Sequence, residues 1–234
     1  MQQRRTFLSH TGHWLLGAAA LHGLAGPAGA QARQRVAIAV PGPGNLLFLP
    51  ITLAGKLGMD RAEGIELDIR YVGGGPQAYR DMLERNADFA AGGLAALALQ
   101  KLSGKPVVGI VPTTRVPAYT LLVRMDLKGK VKSIKDLNGK VVGVKGHVPG
   151  GRSTSQLFAE YVMARGAGSQ ADAVNYVSVG QNYDNQHAAL ASGTVDAIMG
   201  DEPFATRLVK EKVAFVLADY HDLETTRQQM GGLF

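Results

Sequence analysis

The stretch YDNQHAALASGTVDAIMGDEP, residues 183–203, predicts one helix, a turn and one buried strand. The helical segment closes at Gly193, and Asp196 then opens a short apolar run that is typical of a strand buried on both faces. Residues 200–203, GDEP, follow directly and predict the corner that leads into the next helix. A helix, a strand and a corner in this order form the repeating unit of parallel α/β sheets.

The same order of elements runs through the rest of the chain. Apolar runs predict buried strands at residues 35–40, 65–71, 88–91, 106–111, 140–146 and 174–180. Helical segments are predicted at Pro50 to Leu57, Pro76 to Arg85, Leu94 to Leu102 and 155–166. The pattern restarts after residues 118–125, and LERNADFAAGG (83–93) shares its build with LASGTVDAIMGDE (190–202). Two similar α/β halves are therefore predicted.

Glycines collect at the predicted corners between strands and helices. Six such corners follow the carboxyl ends of strands, at residues 42–45, 73–76, 92–93, 150–151, 180–182 and 200–203. Open α/β sheets bind ligands at this edge, because glycine lets the backbone approach a ligand and a helix start offers unpaired N–H groups. Tight turns need Gly and Pro in any case, so one corner alone indicates little. Six corners at one edge favour a ligand crevice.

The first thirty residues predict an export signal peptide. Arg4 and Arg5 form a basic start, Trp14 to Leu24 is a short apolar run, and Ala28-Gly29-Ala30 is a cleavage site that competes with one ending at Ala32. The apolar run is shorter than the roughly 20 residues that span a bilayer. Arg-Arg-Thr-Phe-Leu resembles the twin-arginine export signal. We expect cleavage near Ala30 or Ala32 and a protein that works in the periplasm.

Composition narrows the function classes. The net charge of +6 falls to +4 without Arg4 and Arg5, and no later Lys/Arg block exceeds two residues, so nucleic-acid binding has little support. The chain has no cysteine, which excludes disulfides and thiolate zinc sites. His187 and His221 lack the spacing of helical metal ligands. We predict no metal and no cofactor.

Enzyme interpretations remain as alternatives. Residues 146–153, GHVPGGRS, differ by one position from a phosphate-binding loop, but Arg152 stands where such a loop needs lysine. Ser153, Ser155 and His147 are close in sequence, yet no G-x-S-x-G nucleophile motif occurs. We predict no catalytic residue, and an exported hydrolase is kept as a less favoured alternative to a binding protein.

Three stretches carry a resemblance to a known family. LPITLAGKLGMDRAEGIELDIRYVGGG (49–75), SIKDLNGKVVGVKG (133–146) and LASGTVDAIMGDEPFA (190–205) resemble periplasmic substrate-binding proteins of ABC importers. The similar members are the nitrate, sulfonate and taurine type, with the binders of thiamine-precursor pyrimidines. The resemblance covers residues 35–216. A pyrimidine synthase that shares this fold is a further enzyme alternative, although it carries a cysteine-rich motif that this chain lacks.

The resemblance implies a two-lobed α/β fold of the type II periplasmic-binding-protein class. Each lobe would be a mostly parallel sheet with helices on both faces, and a cleft between the lobes would close on ligand. The implied boundaries are 33–122 for the first lobe, 123–222 for the second and 223–234 for the start of a return to the first lobe. Family members usually continue further, so we expect the first lobe to be incomplete.

The resemblance and the glycine corners together predict the ligand contacts. From the first lobe these are Gly44, Asn45, Leu46, Gly74, Gly75, Gly93 and Leu94, with Thr114 and Arg115 near the crossing. From the second lobe, Arg152, Ser153 and Thr154 would bind an anionic group at a helix start, and Asn182 would be a polar contact.

Asp201 and Glu202 are open to two interpretations. They would receive a donor such as a ligand amine, or they would only cap the helix that begins at Pro203. The first interpretation predicts a small anionic or zwitterionic solute, such as a sulfonate, taurine, nitrate or an aminopyrimidine. The partners would be that solute and the permease subunits of an importer, and the protein would act as a monomer.

Overall fold

The structure is a computed structural model that describes residues 33–146, 151–167, 174–221 and 231–233. The predicted signal peptide with its cleavage sites and His147 lie outside the described residues.

The described part of the chain contains two five-stranded sheets. The strands are β1 (Gln34–Pro41), β2 (Ile65–Val72), β3 (Phe89–Gly92), β4 (Val111–Thr114), β5 (Tyr119–Arg124), β6 (Val141–Val144), β7 (Asn175–Ser178), β8 (Ala197–Asp201), β9 (Ala214–Asp219) and β10 (Gly231–Leu233). The first sheet has the order β2-β1-β3-β10-β4, and the second has the order β7-β6-β8-β5-β9. In each sheet one strand, β10 or β5, runs antiparallel to both of its neighbours.

Helices connect most of the parallel strands. They are α1 (Leu49–Lys56), α2 (Met59–Ala62), α3 (Gly75–Leu83), α4 (Leu94–Leu102), α5 (Thr154–Ala167), α6 (Tyr183–Ala191) and α7 (Phe204–Lys210). Short 3-10 turns lie at Leu46–Phe48, Met125–Leu127 and Ile134–Leu137. Proline in the first turn of α1 and of α3 explains where these two helices begin, because its fixed φ suits the helix and it lacks only an N–H that would be unpaired there.

The two sheets bury their strands to different extents. Five of the six residues of β5 and all five residues of β8 are buried, because apolar clusters pack on both faces of the second sheet. In the first sheet β1 is well buried, whereas β2 contains no fully buried residue. The alternating α/β pattern and the two-lobed class that the sequence predicts are confirmed.

One predicted strand is wrong. Residues 106–111 were expected to form a buried strand, but β4 begins only at Val111, and Val108 and Ile110 are 69% and 56% exposed. Val107 alone is buried, against the smaller cluster of the first sheet. The physical reason is that, among the strands that the structure describes, β4 lies at the edge of its sheet and pairs with β10 alone, through residues 111–114. A run of apolar residues therefore does not guarantee a buried position.

The chain passes from the first sheet to the second between β4 and β5, at residues 115–118. It is back in the first sheet at β10, between β3 and β4. The carboxyl ends of β1, β3, β6 and β8 lead into corners that face one another across the gap between the sheets. The lobe boundaries expected from the resemblance stay predictions.

Candidate functional site

A cavity of about 40 Å³ lies where the strand-to-helix corners of the two sheets meet. Its lining comes from both lobes: Pro41, Asn45, Leu47, Phe48, Gly75, Gly92, Gly93, Tyr119, Lys145, Ser153, Thr154, Ser155, Gln181 and Asp201. This is the edge at which open α/β sheets bind ligands.

A buried ion pair forms one wall of the cavity. The Nζ of Lys145 contacts Oδ1 of Asp201, and the two side chains are only 5% and 1% exposed. The other carboxylate oxygen, Oδ2, accepts a hydrogen bond of 2.8 Å from Nδ2 of Asn45. Nζ also lies 4.9 Å from the centroid of the Phe204 ring, a cation–π contact. Asp201 therefore joins the two lobes through Asn45 while it neutralises Lys145.

Sheet topology explains how these groups meet. Lys145 follows β6 directly and Asp201 ends β8, and these two strands are parallel neighbours whose carboxyl ends coincide. Asn45 precedes the 3-10 turn Leu46–Phe48, where its Oδ1 accepts from the backbone N of Leu47 at 2.9 Å. This cap fixes the amide so that its NH₂ group points across the cleft to Asp201.

The start of α5 supplies a hydroxyl network. Ser155 Oγ accepts from the backbone N of Lys145 at 2.9 Å and donates to the carbonyl oxygen of Lys145 at 3.1 Å. Ser153 Oγ lies 3.1 Å from Ser155 Oγ and accepts from the N–H of Gln156. Because the Ser155 hydroxyl already donates its one proton to Lys145, the Ser153 hydroxyl is the donor in the bond between the two serines. The network ties the helix start to the strand end that carries Lys145.

Tyr119 contributes a phenol at the first residue of β5. Its side chain is buried and its ring stacks on Phe158 with centroids 5.5 Å apart. Burial raises the pKa of Tyr119 far above its usual value, and the negative charge of Asp201 raises it further. The phenol is therefore neutral at physiological pH and can donate a hydrogen bond into the cavity.

The lobes approach closely around the cavity. A Cβ at Gly93 would overlap the side chain of Thr154, and a Cβ at Gly74 would lie 2.8 Å from the Cα of Gly146. Two further hydrogen bonds cross the gap, from Leu46 N to Glu202 O at 3.2 Å and from Gln181 Nε2 to Gly73 O at 3.1 Å. Glycine at positions 74 and 93 therefore permits the lobes to close.

The predicted contact residues divide into two groups. Six of them line the cavity: Asn45, Gly75, Gly93, Ser153, Thr154 and Asp201. Six others do not belong to the lining. Four of these lie beside lining residues in the same corners, namely Gly44, Leu46, Gly74 and Leu94, and two lie at the crossing, namely Thr114 and Arg115.

Three polar side chains predicted to contact ligand are engaged elsewhere. Arg152 is half exposed and pairs with Glu160 at 3.0 Å, and Oδ1 of Asn182 accepts from the N–H of Asn185 at the start of α6. The carboxylate of Glu202 bonds to the N–H and hydroxyl of Thr206, which is the capping interpretation. Asp201, in contrast, faces the cavity. Ligand contacts by any of these residues stay predictions.

Sequence reasoning missed four polar lining residues as ligand contacts: Lys145, Tyr119, Gln181 and Ser155. Gln181 stands inside a corner that the sequence already marks. Lys145 could have been found by the signal that singled out Asp201, since it is a charged residue at the end of an apolar strand and beside a glycine. Tyr119 gives no such signal, because it only opens an apolar run.

The described residues contain no helix that is both long and apolar enough to cross a membrane. They also contain no group of three or more His, Asp or Glu side chains arranged to hold a metal ion.

Comparison with known proteins gives a family match. The family model described as NMT1/THI5 like matches residues 45–229 of this chain. Among curated proteins, YtlA of Bacillus subtilis (strain 168), which is named as a binding protein, is 24% identical over 180 residues. That match covers 75% of this chain and 51% of YtlA, so the chain spans about half the length of this relative.

Solved structures share the fold. A protein of Bordetella bronchiseptica RB50 superposes with a TM-score of 0.76 at 25% identity, covering 87% of this chain and 64% of that protein. The alkanesulfonate-binding protein SsuA from Xanthomonas axonopodis pv. citri, bound to MOPS, superposes with a TM-score of 0.65 at 21% identity, covering 85% of this chain and 64% of SsuA.

Proposed function

The chain belongs to the NMT1/THI5-like family, and from that premise we propose that it is a solute-binding protein of an ABC-type importer. It captures a small anionic or zwitterionic solute in the cavity between its lobes and delivers it to the permease subunits of the importer. As an exported protein it would do so in the periplasm, as a monomer.

The observation that carries this proposal is the interlobe hydrogen bond between Asn45 and Asp201 at the wall of the cavity. A cavity whose polar groups come from two lobes can open and close, and closure removes the ligand from water. The alkanesulfonate-binding protein SsuA, which has the same fold, is one neighbour whose name gives this class of ligand.

Three helix starts favour an anionic group on the ligand. Gly75 is the first residue of α3, Gly93 precedes α4 and Thr154 is the first residue of α5, and all three line the cavity. The starts of α3 and α4 have no side-chain cap, so their first N–H groups remain for other acceptors. Each helix start contributes at most about 2 kcal/mol to anion binding. A micromolar ligand needs about 8 kcal/mol, so only their convergence with Lys145 suffices.

The test is isothermal titration calorimetry of the full 234-residue chain. The ligands would be nitrate, bicarbonate, acetate, ethanesulfonate, taurine and cytosine. We expect micromolar binding of at least one of them. A folded protein, shown by a cooperative thermal melt, that binds none of them would contradict the proposal.

A matched pair of glycine variants tests whether lobe closure is required. Gly93→Ala places a methyl group against Thr154, whereas Gly55→Ala lies in α1, outside the cavity lining, and meets only Ile69 at an ordinary contact distance of 3.6 Å. We expect Gly93→Ala to weaken binding at least about tenfold, because a 1.4 kcal/mol loss of closure energy is a factor of ten. Gly55→Ala should bind as the unaltered chain does, and equal affinity of the two variants would refute a closing cleft.

A further inference from the structure

We propose that the Lys145–Asp201 pair restricts the cavity to small anions that carry no cationic group. Lys145 binds the negative charge of the ligand, and Asp201 is a positioning residue that holds the Lys145 ammonium in place. This inference rests on the proposed function and narrows it, because it removes the zwitterionic and amine-bearing solutes from the candidate ligands.

Asp201 is a poor receptor for a ligand amine. One of its oxygens contacts Nζ of Lys145 and the other accepts from Nδ2 of Asn45. Its charge is already neutralised by Lys145, so a second ammonium gains little net attraction. That second ammonium would also lie within a few ångströms of Nζ in a buried site, where like charges repel strongly.

Two carbonyl oxygens at the cavity are also engaged. The carbonyl oxygen of Gly93 accepts from the hydroxyl of Tyr79 at 3.0 Å and from the N–H of Leu97 at 3.1 Å. The carbonyl oxygen of Lys145 accepts from Ser155. An ammonium needs several acceptors to replace its water, and these groups offer it few.

Donors remain for an anion. An ammonium has three N–H donors, and Nζ of Lys145 directs one to Asp201 while the Phe204 ring lies 4.9 Å away. The neutral phenol of Tyr119 and the uncapped starts of α3 and α4 add further donors at the same cavity. The arrangement therefore fits a ligand that only accepts hydrogen bonds.

The cavity volume favours a small ligand. It measures about 40 Å³, and a single buried water needs roughly 10 to 15 Å³ measured in the same way. The closed cleft thus has room for on the order of three or four non-hydrogen atoms. Nitrate, bicarbonate and acetate have this size, and a larger ligand would hold the lobes further apart.

Calorimetry on matched ligand pairs tests the inference without any substitution. The pairs are acetate with glycine, and propane-1-sulfonate with 3-aminopropane-1-sulfonate, which differ by one amino group. We expect the anion of the tighter-binding pair to bind at least about tenfold more tightly than its amino partner. Equal or tighter binding of the amino partner would overturn the inference and leave the proposed function standing. Binding of neither pair, nor of nitrate or bicarbonate, by the folded chain would overturn both.

A double variant tests the pair itself. Lys145→Gln combined with Asp201→Asn keeps two polar side chains of similar size and removes both charges, so the fold is retained more readily than in a single variant. We expect anion affinity to fall at least tenfold and the discrimination against the amino partner to shrink below about threefold. A purely structural pair would leave the discrimination ratio unchanged, and that result would refute the assignment.

The matched control removes an ion pair that lies outside the cavity. Arg207→Gln with Glu211→Gln deletes the same two charges from the exposed Arg207–Glu211 pair on and just after α7. Affinity and discrimination should match those of the unaltered chain. A loss in the control equal to that in the double variant would show that removing any ion pair weakens binding, and it would refute the role of Lys145.

Discussion

The two sheets arise from the same sequence pattern, yet they differ in how well they are covered. β5 and β8 at the centre of the second sheet are almost wholly buried. Exposed large hydrophobic side chains collect instead in the first lobe. Among the described residues, all of them except Val216 lie in the range 46–111: Leu46, Leu49, Leu53, Leu57, Met59, Tyr71, Leu94, Leu102, Val108, Ile110 and Val111. The comparison teaches that strand and helix periodicity predicts an element without predicting what packs on it.

Helix α1 shows the difference locally. Leu49 and Leu53 are each 39% exposed and Leu57, just after the helix, is 68% exposed, so the positions i, i+4 and i+8 share one uncovered face. On the opposite side Ile51 is buried against the core. In the second lobe, Phe158, Val162 and Met163 of α5 are all buried. Apolar residues outside the core contribute little to folding stability, so the same kind of substitution should cost less in the first lobe than in the second.

The largest contrast is expected between two ion pairs. Lys145→Met leaves Asp201 buried without its partner, and breaking a buried pair in this way costs about 3 to 5 kcal/mol. The matched change in the first sheet, Arg35→Met, removes a 69% exposed arginine from Asp68, which keeps its second partner Arg70, and should cost about 0 to 1 kcal/mol. Urea unfolding of both variants measures the two free energies. Similar midpoints for the two variants would contradict the contrast.

A leucine in each sheet region gives the second contrast. Leu122 is 0% exposed in β5, so Leu122→Ala should lower the free energy of unfolding by about 2 to 5 kcal/mol through lost burial and a new cavity. Leu102 is 84% exposed at the end of α4, so Leu102→Ala should change it by no more than about 0.5 kcal/mol. Thermal and urea unfolding check both values. A Leu102→Ala cost near that of Leu122→Ala would mean that the first lobe is covered in solution.

The smallest expected effect concerns two carboxylates that accept hydrogen bonds from backbone N–H groups. The N–H of Leu67 lowers the pKa of Asp60 in the first lobe, and the N–H groups of Lys132 and Ser133 lower the pKa of Asp136 in the second. A lowered pKa means that each carboxylate stabilises the fold above its ordinary pKa and loses this contribution as the pH falls through the folded value. The stability gap between the unaltered chain and Asp60→Asn or Asp136→Asn should therefore narrow from pH 6 to pH 3. Unfolding at several pH values measures it, and a gap independent of pH would exclude this role.

Much of the fold could be predicted from local patterns. Leu94–Leu102 was predicted with the bounds that the structure has, and the strand predicted at 35–40 lies inside β1. The failure at 106–111 came from β4, whose edge position depends on pairing with a strand about 120 residues away. β9 was also missed, since nothing in AFVLAD (214–219) indicates that it completes the second sheet beside β5.

The candidate site was predicted in place but not in its chemistry. Asn45, Gly93 and Asp201 were identified because corners after parallel strands are visible in the sequence. The side chain of Arg152 is predicted at the site, but it is half exposed and pairs with Glu160. At the start of α5 the cavity is instead lined by Ser153, Thr154 and Ser155.

The alternation of strands and helices, the glycine corners and the family are visible in the sequence, because they depend on residue spacing and on glycine and proline within a few positions. The pairing of Lys145 with Asp201, and the hydrogen bond from Asn45 to Asp201 between the lobes, are visible only in the folded chain. These partners are 56 and 156 residues apart in the chain. Contacts of that range are set by which strands become neighbours and how the lobes close, and no local pattern records either.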